Sequence, residues 1–569
     1  MKTHSQIILK MNELKEKVTI MYALLGVLPL VLAIVMMLIL KKKASFSMLG
    51  AWALSFILAI IFWGMELPVA LTYTFFGFLS AIDVIFIISS AIFLLNVLLE
   101  LRFIETIGKG FNGITQDRRI QILIISWFFG AFIEGAAGFG TPAALAAPLL
   151  VGLGVPPFFA ALASLIANST PVIFGAAGTP TTAGFATIAP GLTEIYGEYV
   201  VSQAFFQFNN RASFVNMFVG MFLPFLMIAW IVMRDGRKRG IKDAISILPL
   251  CLYAGLIYVI PAWLISFLGP ELPTIVGSLV GLGLMILAVK HGFLVPKTVY
   301  RFMDDPIKEV AEGKADTGVP LGLAWSPYAV IAVLLVITRL PGLPFFDLIR
   351  HDYVTVHWPT IFGFEGINWI WRPLNNPGVF PFLPVAFMFL MIRKANKEVL
   401  ARVTKKSLMQ LRHAVVALCF GVALVQIMRF TDYPNFGTGE LTAMTTEIAS
   451  ALAALFGPLY LFVAPLIGGL GGFVSGSNTV SNIMFTGLQL ETAVRLGLPL
   501  LITLVAQTSG GAVGSMISIN NIVAVSATTN SEGKESKLLA AVMIPFLLYS
   551  LAISIVLFIM IGLGVSWVL

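Results

Sequence analysis

The chain has 569 residues, 58% hydrophobic and only 11% charged, with a net charge of +8 and a mean hydropathy of +0.94. Soluble domains carry about 25% charged residues, and the repeated apolar runs here can each cross about 30 Å of hydrocarbon, which makes this an all-α polytopic membrane protein. The positive charge is no nucleic-acid footprint, because Lys and Arg fall mostly in short loops beside the spans.

Taken in chain order, residues 1–17 form a polar tail, and the apolar run Val18–Leu40 is too long for a cleavable signal. The first membrane part, 18–290, has spans at about 18–40, 46–64, 82–100, 120–153, 157–180, 212–233, 244–268 and 271–290. Residues 66–80 read as a further short piece. A loop follows at 291–323. The second part, 324–569, has spans at about 324–340, 379–392, 411–430, 457–495, 497–526 and 538–566. The polar stretch 341–378, with Trp358, Trp369 and Trp371, reads as a loop at the outer interface. Cys251 and Cys419 lie far apart in apolar spans, without a CxxC, which speaks against a disulfide or a metal site.

Segments 120–153 and 457–495 are too long for one helix and carry glycines mid-way, so each reads as a re-entrant hairpin or as two short spans. Each is followed by a broken helix, 157–180 at Asn168-Ser169-Thr170-Pro171 and 497–526 at Gln507-Thr508-Ser509-Gly510-Gly511. Lipid offers no hydrogen bonds, so a helix breaks at membrane depth only where protein or a wet cavity covers the break. Placing the basic loops 41–43, 102–119, 234–242, 290–314 and 393–412 in the cytoplasm makes the two hairpins enter from opposite sides. About 12 transmembrane helices plus two re-entrant hairpins in inverted repeats are therefore expected. Paired breaks of this kind are the sequence sign of a carrier with a midplane site.

The residues at the breaks say what that site holds. Thr141-Pro142, Thr170-Pro171 and Thr179-Pro180 read as starts of half-helices, since Thr caps and Pro fits the first helical position. Such starts present free N–H groups and a positive dipole end to a small anion. Gly138, Gly140, Gly175 and Gly178 would let backbone approach the ligand. Asn168 and Ser169 belong to the same set. Ser477, Asn478 and Thr479 are the counterparts in the second hairpin, with Gln507 and Thr508 at the matching break; Ser515, Ser518, Asn520 and Asn521 follow at the cytoplasmic mouth. Glu134 is the ionisable residue nearest a break, and a charged acid at this depth costs about 3 kcal/mol, so it is expected to carry the coupling proton. Arg429 ends a span next to Asp432 and either reaches the outer surface or attracts the anion. No P-loop, HExxH or GxSxG is present, so neither an enzyme nor a cofactor is expected.

At these residues the chain resembles the lactate permease family of proton-coupled carriers, over nearly its whole length. The most specific matches are GAFIEGAAGFG at Gly130–Gly140, NSTPVIFGAAG at Asn168–Gly178, and Ser475–Asn482 with Thr508–Ser518; GPELP at Gly269–Pro273 is a weaker anchor. The resemblance implies uptake of L-lactate, and often D-lactate and glycolate, with a proton, in a bacterial or archaeal inner membrane. It also implies kinship with the ion-transporter superfamily, whose inverted-repeat members include elevator carriers and homodimers. The chain departs from the family pattern at Asn478, typically an acid, at Ser515, typically a Lys, at Ile519, usually Pro, and at Arg429, usually uncharged. If the first two form a pair in the family, losing both together preserves neutrality. Three rivals remain open: Na⁺ coupling through Asn168 and Asn478, a passive anion channel, and a membrane enzyme.

Overall fold

A computed structural model describes residues 20–564, apart from 38, 41, 112–113, 137, 139–140, 237–239, 304–317, 340–342, 350, 366, 434–440, 530 and 532, and gives Thr141, Ala144, Arg339 and His413 as backbone only. All of the 1–17 tail and most of the 291–323 loop's charged stretch thus lie outside the described residues. Twelve helices among the described residues are long and apolar enough to cross a membrane, and one bent pair makes a thirteenth if it is counted as one span. The chain is a multi-pass membrane protein.

Helices α1 (Ile20–Met37), α2 (Ala44–Phe62), α3 (Leu67–Glu100) and the short α4 (Phe103–Lys109) lead to a first hairpin. Its arms are α5 (Arg118–Ala136) and α6 (Thr141–Gly152). The bent pair follows: α7 (Pro157–Ala167) and α8 (Gly175–Ala186), with the 3-10 turn Pro171–Phe174 between them and a bend of 56°. Next come α9 (Ala189–Tyr196), α10 (Glu198–Gly220), α11 (Leu223–Arg234), α12 (Gly240–Ser246), α13 (Leu248–Ile265) and α14 (Pro273–Lys290). Then follow α15 (Leu321–Arg339), α16 (Pro344–Leu348), α17 (Leu383–Ile392), α18 (Lys397–Arg429) and α19 (Met444–Phe456). The second hairpin is α20 (Tyr460–Ser475) and α21 (Asn478–Leu496), followed by α22 (Leu500–Gly514), α23 (Ile519–Thr528) and α24 (Glu535–Gly562).

The structure corrects four sequence expectations, each for a physical reason. Residues 66–80 are not a separate piece: α3 is continuous over 34 residues. Its polar residues are internally satisfied, with Thr72, Thr74 and Ser80 donating to the carbonyls of Pro68, Ala70 and Phe76. The span at 411–430 starts earlier, at Lys397, where the Asn396 side chain accepts from Val399 N–H at 2.9 Å. The 341–378 loop pairs Val356–Trp358 (β1) with Trp369–Trp371 (β2), antiparallel, and is pinned to α3. Trp371 Nε1 and Asn376 Nδ2 donate to Asp83 Oδ1 at 2.9 and 2.8 Å. Finally, α22 runs unbroken through Gln507–Gly511, and its break lies at Ser515–Ser518.

That last shift has a packing cause. The glycines of α20 and α22 face each other: a Cβ on Gly468 would lie 2.3 Å from Gln507 O, and one on Gly472 would lie 2.4 Å from Gly511 O. They serve close helix contact, the small-residue packing of membrane helices; α20 itself ends at Gly476, which lies at φ +74°. Helices α5 and α22 are the most enclosed spans, 100% and 94% buried over their apolar windows. Protein therefore surrounds the two helices that carry Glu134 and Gln507-Thr508-Ser509, as backbone breaks and polar groups at this depth require.

One face gathers the basic loops. Arg119 donates to Asp117 Oδ2 at 2.6 Å, to the carbonyls of Asp243 and Thr298, and to Ser246 Oγ. Tyr300 N–H donates to Asp117 and Tyr300 OH to Asp235. Arg402 donates to Glu100 at 2.7 Å. Three of the five basic loops are thus tied together, and Arg402 joins a fourth to the end of α3 beside them, the grouping that the charge bias predicts.

Candidate functional site

The two hairpin tips meet at a narrow cavity of about 20 Å³. The first hairpin contributes Glu134 and Gly138, and the bend after α7 contributes Asn168, Val172, Gly175, Ala176 and Pro180. The second hairpin contributes Gly476, Ser477, Asn478 and Thr479, and the final break contributes Ser515 and Asn521. Of the residues singled out from sequence, Glu134, Gly138, Asn168, Ser477, Asn478 and Thr479 come together here. Asn478 and Ser515, the two departures from the family pattern, line the same cavity.

Gly175, Pro180, Ser515 and Asn521, singled out as well, also line the cavity, and several of the remaining residues lie elsewhere. Gly140 falls outside the described residues, as does the Thr141 side chain. The Ser169 hydroxyl turns back to Ile166 O at 2.8 Å. Thr170 caps no N–H group; its hydroxyl shares a 2.8 Å hydrogen bond with Tyr549. Gln507 and Thr508 stand behind the cavity. Gln507 Nε2 donates to Ser481 Oγ at 3.0 Å, and its Oε1 accepts from Gln489 at 3.0 Å. Thr508 Oγ1 accepts from Asn482 Nδ2 at 2.8 Å. Arg429 does not line the cavity; it donates to Thr187 O and packs against Gly487.

Local backbone explains how these groups converge. The hairpin tip needs Gly138 at φ +61°, where glycine is the unstrained choice. Ala176, Ala177 and Gly178 are left-handed in succession (φ 42°, 52° and 76°), so the right-handed helix begins at Thr179. Glycine at 178 is required twice, because a Cβ there would lie 2.5 Å from Pro270 O. The GPELP loop thereby packs directly on the bend, and Thr274 donates to Pro171 O at 2.9 Å. Ser477 is the N-cap of α21; its Oγ accepts from Val480 N–H at 3.4 Å. The first-turn N–H groups of Asn478 and Thr479 have no partner inside the helix and point their positive end at the cavity. Asn482 Nδ2 donates across the centre to Pro180 O at 3.0 Å, joining α21 to α8.

The cavity's chemistry is uneven. Among the described residues its lining holds one carboxylate and no Lys, Arg or His. Glu134, Asn168 and Asn478 are 3%, 6% and 2% exposed, and Glu134 Oε2, Asn168 Oδ1 and Asn478 Oδ1 have no hydrogen-bond partner among the described residues. The Glu134 carboxyl faces the Asn168 side chain. A second, wider cavity lies at the other end of α8. Thr182 and Ala186 line it, with Asp83, Glu198, Glu271 and Arg372, and Arg372 donates to Glu198 at 2.9 Å. Sequence reading passed over Val172 and Ala176, which carry no polar signal; Ser515 and Asn521 line the same cavity. Among the described residues no group of three or more His, Cys, Asp or Glu could hold a metal ion.

A sequence model described as L-lactate permease matches residues 22–564. An L-lactate permease of Escherichia coli (strain K12) is 30% identical over 543 residues, 91% of each protein. The glycolate permease GlcA of the same organism is 29% identical over 544 residues, again 91% of each. A crystal structure of the Alcanivorax borkumensis YdaH transporter aligns over 88% of each chain with 14% identity and a TM-score of 0.44.

Proposed function

The chain belongs to the L-lactate permease family, and from that premise we propose that it carries L-lactate, or a close 2-hydroxy monocarboxylate such as D-lactate or glycolate, across the plasma membrane by proton symport. The observation that carries this reading is the cavity between the hairpin tips, with a single buried carboxyl facing a helix start. The substrate carboxylate sits at the first turn of α21, on the N–H groups of Asn478 and Thr479, where the helix dipole favours an anion. The 2-hydroxyl is read by Ser477 or Asn478. Glu134 carries the proton, so one anion and one proton cross together without net charge.

Residues 18–290 and 324–569 act in this reading as inverted repeats, each with one hairpin and one broken helix, and their relative motion gives alternating access. The wide cavity lined by Arg372, Glu198 and Asp83 is the entry on the side of the β1–β2 loop. The presence of Asn478 and Ser515 in one lining fits an uncharged replacement of a charged pair.

The test is uptake of radiolabelled L-lactate into proteoliposomes under an inward proton gradient, with choline in place of Na⁺. Accumulation against the lactate gradient is the expected result; its absence with lactate, D-lactate and glycolate alike would overturn the substrate class. Glu134→Gln should abolish proton-driven accumulation yet retain lactate–lactate exchange. If the variant still accumulates lactate, the proton travels on another group. Exchange that is accelerated by substrate on the far side separates a carrier from a passive channel.

A further inference from the structure

We propose that the first half of α18, with the end of α3, forms a binding site for an anionic diacyl phospholipid on the basic side of the molecule. The first observation is length. Helix α18 has 33 residues, about 50 Å of helix against about 30 Å of hydrocarbon. From Ala414 to Met428 it carries no charge, whereas Lys397, Arg402, Lys405, Lys406 and Arg412 all fall in its first half. That half extends past the apolar core of the membrane and through the level of the lipid headgroups.

Packing leaves most of this half uncovered. Between Lys397 and Arg412 only every fourth residue, Val403, Ser407 and Leu411, is buried. Asn96 of α3 holds that stripe in place, donating to Ser407 Oγ at 2.9 Å and to Gln410 Oε1 at 2.7 Å. Leu408 and Met409 are 61% and 58% exposed and stand among the basic side chains. An open groove of about 520 Å³ runs between α3 and α18, lined by Asn96, Glu100, Arg402, Lys405, Lys406 and Met409 among others. A second hollow, along α18 alone, shares Lys405 and Met409 with it and adds Lys397, Leu408 and Arg412.

The charges here are not balanced. The one carboxylate of the groove, Glu100, accepts from Arg402 at 3.1 and 2.7 Å. The only acid in this half of α18, Glu398, stands in its first turn. Among the described residues Lys397, Lys405, Lys406 and Arg412 have no ion-pair partner. Unpaired cations beside an apolar surface at this level match one occupant by charge and by polarity. A lipid phosphate takes charge-assisted hydrogen bonds from Lys405 and Lys406, while its acyl chains cover Leu408 and Met409. Lys and Arg clusters next to a membrane span attract anionic headgroups in this way. A nucleic acid or a soluble acidic protein would leave Leu408 and Met409 bare, and a zwitterionic lipid brings the lysines no net counter-charge.

The site involves neither the substrate nor the proton, so it stands or falls apart from the proposed carrier activity. The purified protein in a non-ionic detergent is titrated with dioleoyl phosphatidylglycerol or dioleoyl phosphatidylcholine while its Tm is followed. A saturable rise with phosphatidylglycerol is expected, larger than with phosphatidylcholine and smaller in high salt. Lys405→Gln with Lys406→Gln should weaken the phosphatidylglycerol midpoint roughly 25-fold. Lys290→Gln with Lys297→Gln, which are exposed in another basic loop, should leave it unchanged. Both pairs are exposed, so each double variant should keep the wild-type Tm without lipid. Equal rises with the two lipids would overturn the site, and so would equal midpoints in the two double variants. A rise of the same size with inorganic phosphate would make this a soluble-anion site and overturn the lipid.

Discussion

Gly175 shows how tightly single residues define this site. Its backbone is ordinary, at φ −63° and ψ 155°, so a side chain is barred only by what it would touch. A Cβ there would stand 2.1 Å from Glu134 Oε1. Gly175→Ala should therefore leave the fold near wild-type stability but push the carboxyl from its place. Proton-driven lactate accumulation is expected to fall about tenfold or more, the equivalent of about 1.4 kcal/mol, with exchange less affected; proteoliposome uptake run in both modes reads the difference. The polar residues that line the cavity were legible in the sequence at this scale because hydroxyls, amides and an acid are costly inside an apolar span. Which of them face the cavity was not legible. Ser169 and Thr170 are neighbours of Asn168, yet one turns to Ile166 and the other to Tyr549, a matter of rotation about the chain that composition does not encode. Ala176 and Ala177, left-handed at φ 42° and 52°, have no signal in sequence, since alanine normally avoids that region.

At the scale of helices, the glycine face between α20 and α22 sets their spacing. Gly472→Ala would place a Cβ 2.4 Å from Gly511 O, and backbone atoms cannot move aside without separating the helices. A loss of about 1–3 kcal/mol is expected, measured as Tm in detergent. Gly283, on α14, meets nothing within 4 Å, so Gly283→Ala serves as the control and should be neutral or slightly stabilising. The same glycines misled the reading of the break at Gln507–Gly511, because glycine marks both a broken helix and a close-packed one, and only the partner helix decides. On α4, Glu105 accepts from Arg102 at 2.8 and 3.0 Å and from Lys109 at 2.5 Å. Chiefly the Arg102 bonds, and then Lys109, hold its carboxyl down to about 2. A depressed carboxyl stabilises the fold fully above its ordinary value and ceases to do so as pH falls through the lowered one. The stability difference between wild type and Glu105→Gln should thus be small at pH 7, under about 1 kcal/mol for so exposed a cluster, and should vanish toward pH 2. Thermal unfolding at several pH values checks the trend.

Across the whole molecule, the basic loops do more than report sidedness. Arg119 and Asp117 form an ion pair whose side chains are 1% and 4% exposed, and the guanidinium also holds the carbonyls of Asp243 and Thr298. Three loops far apart in the chain depend on it. Asp117→Asn would leave Arg119 buried without its counter-charge, at a cost of about 3–5 kcal/mol. A lower Tm and poor recovery of folded protein are expected, whereas Arg402→Ala, which removes an exposed pair with Glu100, should cost less than about 1 kcal/mol.

The membrane class, the all-helical fold and the family followed from sequence alone. Each rests on local composition: apolar length against bilayer thickness, and polar or glycine residues where lipid tolerates neither. The tertiary structure decided the rest. It moved the last break to Ser515–Ser518, joined residues 66–80 to α3, turned Thr170 and Gln507 out of the cavity, and brought Asn478 and Ser515 together in it. The reason is geometric. A residue's chemistry is carried in the sequence, but its direction depends on which helix packs against its own, and that contact joins positions hundreds of residues apart.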